Sequence, residues 1–162
     1  MTPDLMPSRL VIISGGQTGV DRGALDAALS LGAECGGWCP EGRAAEDGPI
    51  PDRYPLTVLP GGGYLARTRR NVEDSDATLI ITFGKPSGGT ARTIDFCRRL
   101  SKPYRVLDAA SMSPAAAATQ VLDFIRETGC QRLNVAGPRA SGDARGHDFT
   151  FQVVRAVLLA MA

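Results

Sequence analysis

The chain has 162 residues, 43% hydrophobic and 22% charged, with a formal net charge of +1. That length fits one domain, 1–162, able to close a core without disulfides or metal. So small a charge excludes a general attraction to nucleic acid or an acidic membrane, and any anion must be caught by a local site.

Met1–Leu10 lacks the apolar core of a secretory leader. Val153–Ala162, the longest apolar stretch, is too short to cross a bilayer. The expected location is therefore the cytoplasm. Cys35, Cys39, Cys97, Cys130 and the single His147 show no metal-ligand spacing, so no metal site is expected.

Arg9–Ser14 (RLVIIS) is a β-branched run of the kind found in buried parallel strands. Thr18–Leu31 has helical spacing, with Gly32 as its stop. Glu34–Trp38 reads as a weaker second strand. Pro40–Gly63 is a long, proline-rich loop, and loops of this length usually cover or build a site; Thr57–Leu59 adds a short extended piece. Tyr64–Ser75 is compatible with a helix, and Asp76–Phe83 (DATLIITF) is the clearest strand.

After the loop Gly84–Thr90 come a helix at Ala91–Leu100 and a fourth strand at Tyr104–Leu107. Ser113–Glu127 is a helix with Ser113 at its N-cap, Pro114 in its first turn and Gly129 just beyond its end. Leu133–Ala136 is a fifth strand, Gly137–Gly146 a loop, and Asp148–Ala162 the last helix. Phe149, Phe151, Val153, Val154, Val157, Leu158, Leu159 and Met161 leave that helix apolar on nearly every side. Either other elements cover it or it lies at a subunit interface; the interface, and with it a homo-oligomer, is the preferred reading.

The alternation implies an α/β fold of three layers, a mainly parallel sheet of about five strands with helices on both faces. Two glycine loops each follow a strand and open a helix. The first is Ser14-Gly15-Gly16-Gln17-Thr18-Gly19-Val20-Asp21-Arg22; the second is Gly84-Lys85-Pro86-Ser87-Gly88-Gly89-Thr90. A helix N-terminus offers unpaired N–H groups and the positive end of a dipole to an anion. Neither loop is a dinucleotide fingerprint or a Walker A motif. In the strand order 2-1-3-4-5 both loops face one crevice at the carboxyl edge of the sheet, and that is the expected order.

Around that crevice, Arg139 follows the fifth strand, while Arg43, Glu46 and Asp47 come from the long loop. Arg67, Arg69 and Arg70 form a basic run whose alternatives are a phosphate site and a solvated helix face. Asp21 and Asp47 are available carboxylates, but no nucleophile pairs with a base in the sequence, so no catalytic residue is assigned.

Five blocks in this order, SGGQTGVDRGALDAAL, GGWCPEGRAAEDGPIPDRYPL, RTRRNVEDSDATLI, SGGT and NVAGPRAS, resemble the molybdenum cofactor carrier proteins. These form a circularly permuted branch of a nucleotide-binding group related to the Lonely Guy enzymes. The resemblance covers about Ile13 to Ser141. It implies a Rossmann-like fold and a small phosphorylated ligand: molybdenum cofactor (molybdopterin), held for storage or for transfer to molybdoenzymes, or alternatively a nucleotide. Binding residues carried over are Gly15, Gly16, Thr18 and Gly19, then Ser87, Gly88, Gly89 and Thr90, with Arg43 and Asp47. Gln17, Asp21, Arg22 and Arg139 complete the expected site from their places in the loops. The Lonely Guy enzymes carry a glutamate shortly after a Gly-Thr pair, which would make this chain a phosphoribohydrolase; Thr93 stands there instead, so the resemblance favours binding over catalysis. The third alternative is a nucleotide sensor.

Overall fold

The computed structural model describes residues 6–162; the part of the leader reading that falls on residues 1–5 lies outside them. The main sheet contains β1 (Val11–Ile13), β2 (Cys35–Gly36), β7 (Ala77–Thr82), β8 (Tyr104–Asp108) and β9 (Arg132–Ala136), all parallel. The proline-rich stretch carries four short strands: β3 (Trp38–Cys39) pairs with β6 (Thr57–Val58), and β4 (Ala44–Ala45) forms a hairpin with β5 (Gly48–Pro49). Five helices follow the main strands or cross between them: α1 (Val20–Ser30), α2 (Tyr64–Glu73), α3 (Gly88–Arg99), α4 (Pro114–Thr128) and α5 (Gly146–Met161).

The layered α/β architecture is as expected, but the strand order is corrected. The sheet runs β2-β1-β9-β7-β8, so the fifth main strand sits between the first and the third. The reason is burial. Leu133, Asn134 and Val135 are hidden on both faces, as a central strand requires, whereas β8 leaves Val106 37% exposed and suits an edge. Asn134 hydrogen-bonds Thr78 across this buried register, Nδ2 to Oγ1 at 3.3 Å.

α5 packs between α1 and α4 on one face; α2 and α3 pair on the other. Of the two alternatives for α5, cover by other elements accounts for most of its apolar side chains. Phe149, Val153, Val154, Val157 and Leu158 are buried, and Leu159 is the large apolar side chain of this helix left exposed. The main core lies on this face, from Ile12, Leu79, Ile81, Leu133 and Val135 to α1, α4 and α5. A smaller cluster of Leu25, Cys39, Ile50 and Tyr54 anchors the proline-rich stretch to α1.

α4 ends where the sequence reads: Ser113 Oγ accepts from Ala116 N at 3.1 Å, and Gly129 takes a left-handed φ of 65°. α3 instead starts three residues earlier than expected, bringing Gly88 and Gly89 into its first turn. Glycine costs little there, because first-turn N–H groups have no intrahelical partner to lose. Among the described residues no helix is long and apolar enough to cross a membrane.

Candidate functional site

β9 and β7 are neighbours whose following helices, α5 and α3, go to opposite faces. That divergence opens a crevice at the carboxyl edge, the usual ligand position in such sheets. A cavity of about 480 Å³ lies there. Thr82, Phe83, Asn134, Val135 and Ala136 from the strand ends line it, with Tyr64, Leu65, Arg67 and Thr68 of α2 and Ser87–Thr90 of α3. Such a volume suits a nucleotide-sized ligand.

Of the expected site residues, Gly15, Gln17, Asp21, Ser87, Gly88, Gly89, Thr90 and Arg139 line this cavity. Both glycine loops therefore reach one space, but with the β9 loop, Gly137-Pro138-Arg139, standing between them. Gly16, Thr18, Gly19, Arg22, Arg43 and Asp47 do not line it.

Most of the first loop is satisfied from within the protein, the N–H groups of Gly15 and Gly19 taking no partner among the described residues. Gly16 N donates to Ser14 Oγ (3.2 Å), Gln17 N to Asp21 Oδ2 (3.2 Å), Thr18 N to Gln17 Oε1 (3.0 Å) and Val20 N to Pro138 O (3.2 Å). Its glycines are there for close packing. A Cβ on Gly16 (φ 77°) would meet Leu56 at 2.3 Å, and one on Gly19 (φ 83°) would meet Pro138 O at 2.6 Å.

The second loop is open. Among the described residues the N–H groups of Gly88, Gly89 and Thr90, the Ser87 hydroxyl and the Lys85 ammonium take no partner. No acidic residue lies in the first turn of α3. A Cβ at Gly88 or Gly89 would meet nothing within 4 Å, so the backbone here is bare to an approaching group.

The other expected residues shape the proline-rich stretch. Arg43 donates to the carbonyls of Ile50 (3.0 Å), Leu56 (3.3 Å), Pro51 (2.8 Å) and Tyr54 (2.9 Å), which closes that stretch around a guanidinium. Arg22 grips Asp47 with two bonds, 2.5 and 2.7 Å, and donates to Gly16 O at 3.1 Å. Next to Asp47, Glu46 accepts from Ser141 N (3.1 Å), Ser141 Oγ (2.6 Å) and Thr18 Oγ1. The Ser141 and Thr18 hydroxyls hold Glu46 below the usual carboxylate range. The hairpin β4–β5 thus straps the first loop to the β9 loop.

Arg67 emerges from the basic run as the residue that matters to the cavity. It is 6% exposed. Its Nη1 donates to Gly15 O at 2.6 Å and lies 4.0 Å from Asp21 Oδ2, while Nη2 has no hydrogen-bond partner among the described residues. Its neighbours are engaged elsewhere, Arg69 with Glu73 and Arg70 with Asp74. The sequence carried this signal: Arg69 and Arg70 have a carboxylate four residues on, and Arg67 has Asn71. Asn71 itself braces the backbone of Trp38 through its side chain at 2.8 and 3.0 Å.

Asp21 is 9% exposed, and its pKa is pushed up to about 6 because burial outweighs the attraction of Arg67 and the Gln17 N–H bond. Its Oδ1 has no partner among the described residues. Thr93, on α3, donates its hydroxyl to Gly89 O at 3.0 Å and so supports the second loop from behind.

Residues 12–158 match the circularly permutated YpsA SLOG family. Among solved structures, a candidate molybdenum carrier protein from Syntrophus aciditrophicus SB is 42% identical, with a TM-score of 0.91 over 96% of this chain and 98% of that one. No curated protein matches the sequence significantly.

Proposed function

We propose, from the premise that the chain belongs to the circularly permutated YpsA SLOG family, that it is a carrier whose cavity holds a phosphate-bearing cargo, molybdenum cofactor first among the candidates. The relative from Syntrophus aciditrophicus SB bears a molybdenum carrier's name, and its identity of 42% over nearly the whole chain makes a shared cargo the natural reading.

One observation carries the proposal. The free N–H groups at the start of α3 and the buried guanidinium of Arg67, with one nitrogen unpartnered, line the same cavity. Amides at a helix N-terminus attract an anion even on a protein of neutral net charge. The residues present fit the group. Gly88, Gly89 and Thr90 would take the phosphate with Ser87 and Lys85 beside it, and the long reach of the cavity toward Asp21 leaves room for a ring system. The cargo brings the molybdenum chemistry; the chain's own part is to bind, orient and shield. Its four cysteines are all free, which accords with the reducing cytoplasm where such a cargo survives.

The test is anaerobic. The protein is incubated with a source of molybdenum cofactor, passed over a sizing column, and the retained cofactor is oxidised to its fluorescent pterin and counted. Near-stoichiometric retention, lost in Gly89→Val, is the expected result. Absence of retention in the folded wild-type protein overturns the cargo assignment.

A further inference from the structure

We infer that Asp21 and Arg67 form a head-group subsite that selects a 2-amino-4-oxopyrimidine ring, the edge shared by pterins and guanine, over an adenine-type edge. The inference rests on the proposed phosphate site at α3.

Three observations lead there. First, the two side chains are both about nine-tenths buried, line the same cavity, and each keeps one atom free: Oδ1 of Asp21 as an acceptor and Nη2 of Arg67 as a donor. A carboxylate set beside a guanidinium takes a ring edge that offers N–H groups next to a carbonyl. The 2-amino-4-oxopyrimidine edge does so, its amino and ring N–H groups facing the carboxylate and its carbonyl the guanidinium. Adenine presents an acceptor nitrogen beside its amino group, and that nitrogen would face a carboxylate oxygen.

Second, the pair does not suit a second phosphate. The Asp21 carboxylate is ionised above pH 6 and would repel one, whereas the α3 N-terminus has no acidic residue in its first turn. The anion and the ring are thereby assigned to different ends. β9 separates β1 from β7, so the loops at the two ends start about 10 Å apart across the sheet. A ring joined to its phosphate by a short sugar-like or pyran linker has that kind of reach.

Third, the walls between the ends suit a flat ring. Tyr64 and Leu65 are 44% and 47% exposed, and both line the cavity together with Phe83. A planar heterocycle would cover that apolar surface. The Arg67 guanidinium also lies 5.5 Å from the centre of the Tyr64 ring, within cation–π range.

The experiment is a set of calorimetric titrations at pH 7.5 with neopterin monophosphate, GMP and AMP, on the wild-type protein, Asp21→Asn and Gly89→Val. The wild-type protein is expected to bind the first two at least tenfold more tightly than AMP. Asp21→Asn should bring all three within about threefold of one another, with AMP affinity kept, and Gly89→Val should weaken all three alike. The tighter of neopterin monophosphate and GMP identifies the natural source of the ring, pterin or guanine nucleotide. AMP binding as tightly as GMP, or a preference that survives Asp21→Asn in a protein of unchanged melting temperature, overturns the head-group assignment and leaves the phosphate site standing. Binding unaffected by Gly89→Val overturns the phosphate site, and no binding of any of the three overturns both. The wild-type comparison decides the head group even where a variant does not fold.

Discussion

In the first glycine loop the backbone N–H groups of Gly16, Gln17, Thr18 and Val20 are answered from within the protein; in the second those of Gly88, Gly89 and Thr90 are left open. Both segments follow a parallel strand, open a helix, and carry paired glycines with a threonine close by. The difference lies in what surrounds them. The first loop sits under the proline-rich stretch, with Leu56 and Ile50 against Gly16 and Pro138 against Gly19, and Asp21 fills the place an anion would take. The second has no strap over it. A glycine loop at a helix N-terminus is therefore an offer of donors, and the fold decides whether a ligand or the protein accepts them.

The largest contrast should come from the same substitution made in each loop. Gly16→Val puts a branched side chain at φ 77° and into Leu56, 2.3 Å from its first carbon. Strain plus overpacking of this kind costs roughly 2–5 kcal/mol, and a thermal melt should show a loss of well over 5 °C or no cooperative transition. Gly89→Val meets nothing within 4 Å and should melt within about 2 °C of the wild-type protein while losing at least tenfold in affinity for a phosphorylated ligand. A Gly89→Val protein that binds normally would break the comparison outright.

Asp21 supplies the next test, and its sign is opposite to that of an ordinary ion-paired carboxylate. Its folded pKa of about 6 lies above the ordinary aspartate value of 3.8, so ionisation costs the folded state free energy. The cost is absent below about pH 4, grows between pH 4 and 6, and is complete above it, on the order of 3 kcal/mol. The charged groups facing this carboxylate are Arg67 from α2 and Arg22 from α1, and both only partly offset its burial. Asp21→Asn keeps an acceptor for the Gln17 N–H and removes the charge. It should therefore raise the melting temperature at pH 7.5 and flatten the stability profile between pH 4 and 6. A buried carboxylate kept at such a cost is the mark of a binding role; a variant less stable at pH 7.5 would make the carboxylate structural instead.

Much of this was legible in the sequence where the signal is local. DATLIITF announced β7, and Ser113, Pro114 and Gly129 marked both ends of α4, because capping and φ preferences act within a few residues. Strand order was not legible in the same way, since pairing β9 between β1 and β7 joins residues over fifty positions apart. Even so, a cue was present: Leu133-Asn134-Val135 is suited to a double-sided interior, while Tyr104-Arg105-Val106 is suited to an edge. Within the site, the loops could be named from glycine alone, but which N–H groups stay free depends on contacts with Asp21, Pro138 and Glu46 that no local pattern encodes. Arg43 shows the same limit. It reads as a cationic binder from the loop and spends its donors on four backbone carbonyls.

The smallest effect should come from the strap, which only the first loop possesses. Glu46 joins Thr18 to Ser141, and the Arg139 guanidinium lies 3.6 Å from it. These bonds sit near the surface, where water competes, so Glu46→Ala should cost about 1 kcal/mol of stability. Its effect on binding should be indirect. Gln17, Arg139 and Gly142 line the cavity, and the strap fixes the loops that carry them; freeing those loops should speed ligand release a few-fold while leaving the α3 donors untouched. Hydrogen exchange separates this from a general loosening. The Ser141 amide, which donates to Glu46, should exchange faster in the variant, and amides in β7 should not. If release slows or stays the same while the Ser141 amide exchanges freely, the β9 loop does not contribute to holding the ligand, and the second glycine loop with Arg67 does so alone.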